Sequence, residues 1–145
     1  MEQVQTATTA NPVLKNDKLN AVYQHYIHLT TALTNGDVAE AKIAANAIEA
    51  GSKSINGASS IASSAEKIMA APDMAAQRTS YSGMSKDIAE LIKKEGLSGG
   101  ELYVAFCPMA LNDKGATWIS GSREIRNPYF GEKMLGCGEV KETIK

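Results

Sequence analysis

Two amphipathic stripes joined by Asn35-Gly36-Asp37 constrain this chain more than any other feature. Leu19, Val22, Tyr23, Tyr26, Ile27, Thr30 and Leu33 recur at offsets 0, 3, 4, 7, 8, 11 and 14, the spacing of one face of an α-helix. Asn16 or Asp17 can cap its start. Asn35-Gly36 stops it, and Asp37 caps a second helix with Val38, Ala41, Ala45 and Ile48 on one side. A connection this short forces the two helices antiparallel, and the small residues of the second bring the backbones close.

The same grammar continues. Gly51 and Asn56-Gly57 interrupt, and a third helix is expected from about Ser59 to Ala71, burying Ile61, Ala65, Ile68 and Met69. Pro72-Asp73 acts as stop and new cap. A fourth helix then carries Met74, Tyr81, Met84, Ile88, Leu91 and Ile92, ending with Lys93, Lys94 and Gly96. The fold class read from this pattern is all-α: an up-and-down four-helix bundle with a C-terminal Cys/Met-containing extension. Residues 1–14 read as a disordered tail and residues 15–145 as a single domain. Within it, 15–96 is the bundle and 97–145 the extension.

Inside the extension, Leu102 to Phe106 and Ala116 to Ile119 flank the turn signal Asn112-Asp113-Lys114-Gly115 and read as a short hairpin. Pro128 suits the first turn of a short helix over Tyr129 to Leu135, which Gly136 and Gly138 would stop. Glu139, Lys141 and Glu142 read as a solvated tail.

Composition narrows the function. With 15 basic and 16 acidic residues interspersed, one Trp and two Phe, there is neither the charge nor the stacking surface for nucleic acid. No apolar run approaches the ~20 residues of a membrane span. The polar stretch Glu2 to Asn11 has no export signal, although its composition also suits residues that follow a removed signal peptide. No nucleophile–base pair or catalytic carboxylate pair is visible, so an enzyme is not expected.

The chemistry concentrates in two sulfur-bearing words, Cys107-Pro108-Met109 and Met134-Leu135-Gly136-Cys137. Cys107 and Met109 would share a side of an extended segment, and Met134 and Cys137 a face of a helical turn. Were the segments to meet, two thiolates and two thioethers would suit Cu(I) or Ag(I) better than zinc. Trp118 could lean on a bound cation, or simply pack the extension onto the bundle. His25 and His28, on the face opposite the stripe, are accessory ligand candidates or solvated histidines. Arg78 would snorkel or pair with an acid. The alternatives remain open: Cys107–Cys137 as a structural disulfide of an interaction domain, and the methionines as core filler. Thirty positions separate the cysteines and neither sits in a C-x-x-C pair, which argues against a redox enzyme.

Tyr103 to Ala110, Trp118-Ile119 and Glu124 to Gly138, with Tyr26-Ile27, Ala32-Leu33, Gln77-Arg78, Tyr81 and Met84-Ser85 upstream, resemble a bacterial exported domain of unknown function. That domain occurs alone and attached to periplasmic adaptor subunits of copper/silver heavy-metal efflux systems. The resemblance implies a periplasmic or exported location, lipid-anchored or free. It also implies an efflux adaptor or pump component as partner, and Cys107, Met109, Met134 and Cys137 as the metal ligands. Asn127, Pro128, Tyr129 and Gly131 would shape the turn that presents them.

Overall fold

A computed structural model describes residues 12–145. Its elements are β1 (Val13–Leu14), α1 (Asp17–Thr34), α2 (Val38–Ser52), α3 (Ser59–Ala70), α4 (Met74–Glu95), β2 (Leu97–Gly99), β3 (Leu102–Cys107), the single turn α5 (Ala110–Asp113), β4 (Ala116–Ser120) and β5 (Glu139–Ile144). A 3-10 turn spans Gly131–Lys133.

Three of the four long helices start where a short polar side chain can hold a free backbone N–H. The Asn16 side chain accepts from Leu19 N, Asp37 from Glu40 N and Asp73 from Ala76 N. The helices pack in sequence order, and α4 also touches α1 and α2. The buried face of α2 is nearly all alanine, with Ala41, Ala44 and Ala45 wholly buried beside Ile48. The buried arc of α1 is wider than the stripe expected from sequence. Leu29 and Ala32 are inside while Ile27 is 40% exposed, because α1 meets α2 on one side and α4 on another.

The expectation of an all-α four-helix bundle is wrong: the fold is mixed α/β, with two antiparallel sheets. One pairs β1 with β2. Val13 and Leu14 are therefore ordered, Leu14 being 1% exposed, and are not part of a disordered tail. The remainder of that expected tail, residues 1–11, lies outside the described residues. The other sheet has the order β4-β3-β5. The hairpin expected from sequence is its β3–β4 half, with Val104 opposite Ile119 and Ala105 opposite Trp118.

The third strand is the residues expected to form a solvated tail. β5 pairs with β3 from Leu102–Ile144 to Phe106–Glu139, with an irregularity at Val104/Ala105. Its charges point away from the core, as an edge strand tolerates, and Ile144 is buried. Charge on one face hid the strand.

The short helix expected over Tyr129 to Leu135 is only the 3-10 turn. Asn127 and the left-handed Gly131 (φ 58°) bend the chain before a helix can propagate.

Four aromatic rings tie the bundle to the sheet. Tyr26 stacks on Tyr81 at 5.3 Å, Tyr81 meets Tyr129 edge-on at 5.5 Å, and Tyr129 meets Trp118 edge-on at 6.0 Å. The buried Tyr26 hydroxyl accepts from Ile119 N of β4 at 3.0 Å and lies 2.7 Å from Ser85 Oγ of α4. Tyr129 OH donates to Thr117 O at 2.6 Å. Burial without compensating charge raises the pKa of Tyr26, Tyr81 and Tyr129, so all three remain neutral hydrogen-bonding phenols.

Candidate metal centre

β3 ends at Cys107, whose thiol is completely buried on the sheet. Pro108 then turns the chain, since it offers no N–H to a neighbouring strand. Met109 follows in a helical conformation (φ −91°, ψ −6°) with 46% of its surface exposed. The expectation that Cys107 and Met109 share one side of an extended segment therefore fails: the strand stops between them. The turn beyond is unusual, with Leu111, Asn112 and Asp113 at φ 54°, 58° and 65° in succession.

The second sulfur segment is positioned by Asn127, which is fully buried. Its Oδ1 accepts from Tyr129 N at 2.8 Å and Phe130 N at 3.1 Å, and its Nδ2 donates to Cys137 O at 2.7 Å. Asn127 N donates to Leu135 O at 2.8 Å, and Gly131 N to Asn127 O at 2.9 Å. One side chain thus closes the 127–137 loop and holds Cys137 by its carbonyl. Arg78 secures the loop from below. Among the described residues it pairs with no acid: Nε donates to Pro128 O at 2.8 Å and Nη2 to Leu33 O at 2.9 Å, linking the loop to the end of α1.

The outcome is a sulfur pair. Cys107 Sγ and Cys137 Sγ stand 3.0 Å apart, both free thiols, one buried and one half-buried. The close approach depends on Gly138. Its φ is 134°, and a Cβ there would meet Phe106 O at 3.0 Å and Trp118 Cη2 at 3.1 Å. Any side chain would be strained at this φ and would force Phe106 or Trp118 to give by a few tenths of an ångström. Hydrogen bonding to Cys107, then burial, raises the Cys137 thiol above its ordinary range.

The other candidates are distributed unevenly. Met134 is 36% exposed in a non-helical conformation (φ −148°, ψ 57°), so the helical face expected for it and Cys137 is absent, although Cys137 N still donates to Met134 O at 3.0 Å. Trp118 is 2% exposed and packs the sheet against Tyr129, with one ring edge under the Cys137–Gly138 turn. His28 Nε2 lies 2.7 Å from Glu40 Oε1, on the side of α1 facing α2. His25 is half-buried on the same helix. Among the described residues no three His, Cys, Asp or Glu side chains converge as a metal cluster, so neither histidine joins the thiols in one. The fold brings the two thiols together, and Met109 and Met134 remain exposed.

Sequence reasoning missed the tyrosine ladder and the carbonyl-binding role of Arg78. The Tyr23-x-x-Tyr26 repeat was the available signal, but it reads equally as ordinary core.

Among the described residues no helix is long and apolar enough to cross a membrane. No curated protein and no solved structure matches the chain. The family model described as a protein of unknown function, DUF3347, matches residues 22–100, which run from α1 through β2 and stop short of both cysteines. That match covers more than half of the 145 residues, and the chain belongs to the DUF3347 family.

Proposed function

We propose that this protein binds a soft monovalent metal ion, Cu(I) or Ag(I), through Cys107 and Cys137 with Met109 and Met134 as thioether donors. It would serve as a periplasmic or exported scavenger, chaperone or heavy-metal efflux accessory, handing its ion to an adaptor or pump component. One observation carries the reading: residues thirty apart in sequence bring their sulfurs to 3.0 Å, while Met109 and Met134, two and three positions away along the chain, are left exposed by the core. Thiolate with thioether is soft-metal chemistry. The donor set fits such an ion with a small opening. Metal–thiolate bonds of about 2.3 Å place two sulfurs about 3.8 Å apart on a four-coordinate centre, so the pair must separate by roughly 0.8 Å. Cys137, on a loop, is the partner able to move.

The proposed role is binding rather than catalysis. A second reading rests on the same 3.0 Å contact: a disulfide needs the sulfurs only about 1 Å closer, giving an interaction domain stapled at Cys107–Cys137.

Titrating the reduced protein with Cu(I) against a competing chelator separates the two. Metal binding predicts affinity tighter than about 1 μM. It also predicts loss in Cys107→Ser and Cys137→Ser, with weakening in Met109→Leu and Met134→Leu. Affinity unaltered by both cysteine variants sinks the metal reading. Two free thiols in protein purified without reductant sink the disulfide one.

A further inference from the structure

A cleft of about 500 Å³ lies between the C-terminal end of α1, the first turns of α4 and residues 126–135. Three cations line it, Arg78, Arg126 and Lys133, and Glu132 is the one acid among its described lining residues. None of these four enters an ion pair among the described residues. Its apolar walls are Met74, Phe130 and Leu135, all half-buried and so able to meet a ligand. The volume lies within the range of small-molecule sites.

Arg78 distinguishes this cleft from a scatter of surface charge. Its side chain is half-buried, and the bonds from Nε to Pro128 O and from Nη2 to Leu33 O fix it in place. Carbonyls are neutral dipoles, so they hold the guanidinium without cancelling its charge. Nη1 keeps its donors unpaired among the described residues. Burial alone lowers the Arg78 pKa, with no carboxylate raising it back. A partly desolvated cation is costly until an anion answers it. The carbonyl end of α1 opposes an anion here, but Arg78 covers it at Leu33 O. α4 starts at Met74, itself in the lining, and its N-terminal end favours negative charge. Arg126 and Lys133 are exposed and free to swing toward a ligand.

We infer that this cleft binds a small organic carboxylate, whose negative group is held by Arg78 with Arg126 and Lys133 and whose apolar body lies on Met74, Phe130 and Leu135. A planar guanidinium fork suits a carboxylate, and two mobile cations at exposed positions add charge without a fixed geometry. The site does not depend on the metal reading, because it uses neither cysteine and neither Met109 nor Met134.

The test uses 3-phenylpropionate, which has an apolar body and a carboxylate, and 3-phenylpropionamide, which has the same body without the charge. Inorganic phosphate supplies charge without the body. NMR on the full chain follows the Gly36, Gly131 and Leu135 amides and the Arg78 Nε–H. Expected are shifts at all four with one Kd of about 1 mM or tighter for the carboxylate. The amide and phosphate should each bind at least about fivefold more weakly. The double variant Arg126→Gln, Lys133→Gln, at two exposed positions, should keep the wild-type Tm and weaken the carboxylate at least about fivefold. No shift at about ten times the expected Kd overturns the proposal. So does an Arg78 Nε–H that stays in place, or an affinity unaltered in the double variant. Amide or phosphate binding as tightly as the carboxylate also overturns it, by showing that the charge or the apolar walls contribute nothing.

Discussion

Replacing Asn127 by alanine removes three hydrogen bonds at a fully buried position: those from Tyr129 N and Phe130 N and that to Cys137 O. The backbone groups left behind do not suffer equally. Tyr129 is 5% exposed, so its N–H loses its partner with little access to water. Phe130 and Cys137 are only half-buried and recover part of the loss. At about 1–3 kcal/mol per stranded buried group, discounted for the two that reach water, the cost is about 3–5 kcal/mol. Asn127→Asp is the sharper probe because it keeps the acceptor and the shape. It loses only the donor, and places a carboxylate oxygen against the Cys137 carbonyl. That repulsion and burial raise the folded-state pKa of the new acid above its unfolded value of about 3.9. Between those two pKa values the native state binds more protons than the unfolded one, so stability falls as pH rises. Relative to wild type, the aspartate variant is then least impaired near pH 4, where the protonated acid can donate to Cys137 O. The deficit grows as pH climbs through the folded pKa. Urea unfolding across pH 4–8, referenced to wild type at each pH, reads both effects. An alanine cost below about 1 kcal/mol, or an aspartate deficit flat in pH, refutes the assignment of Asn127 as the clamp of the sulfur loop.

Gly131→Ala should cost about 2–4 kcal/mol, because φ is 58° there and the new methyl would stand 2.8 Å from Thr34 O. Thermal unfolding tests this, and an unchanged Tm contradicts the tight loop–α1 contact. Cys107→Ala should bring the Cys137 thiol back toward its ordinary range, since contact with Cys107 is the largest cause of its elevation. The pH profile of Cys137 alkylation by iodoacetamide should accordingly move to lower pH, and an unmoved profile argues that the two sulfurs are not in contact in solution.

The parts of the fold legible in sequence are those set by neighbours in the chain. Asp37 and Asp73 sit at helix starts because an N-cap needs only a short acceptor and two or three following N–H groups. β5 was illegible for the opposite reason. Glu139, Lys141 and Glu142 look like a solvated end until β3 supplies a partner far back in the sequence. The site divides the same way. Cys107 and Cys137 stood out by residue type, yet no local rule shows that the chain brings them together. The geometry drawn for the methionines failed because Pro108 ends the strand and the 3-10 turn stops at Lys133, before Met134. Arg78 was misread because its partners are main-chain carbonyls, which sequence does not display.

The pairing of β3 with both neighbours has a consequence for the order of events during synthesis. The helices touch in sequence order, so their contacts are local and form quickly. Leu102 meets Ile144, however, only after a loop of about forty residues has closed. In a chain emerging from its N-terminus, α1–α4 can collapse while Cys107 still stands at an incomplete sheet and Cys137 has yet to arrive. The thiol of Cys107 is therefore most open to oxidants and adventitious metals in the nascent protein. Completion of the sheet and assembly of the sulfur pair are one and the same late folding step.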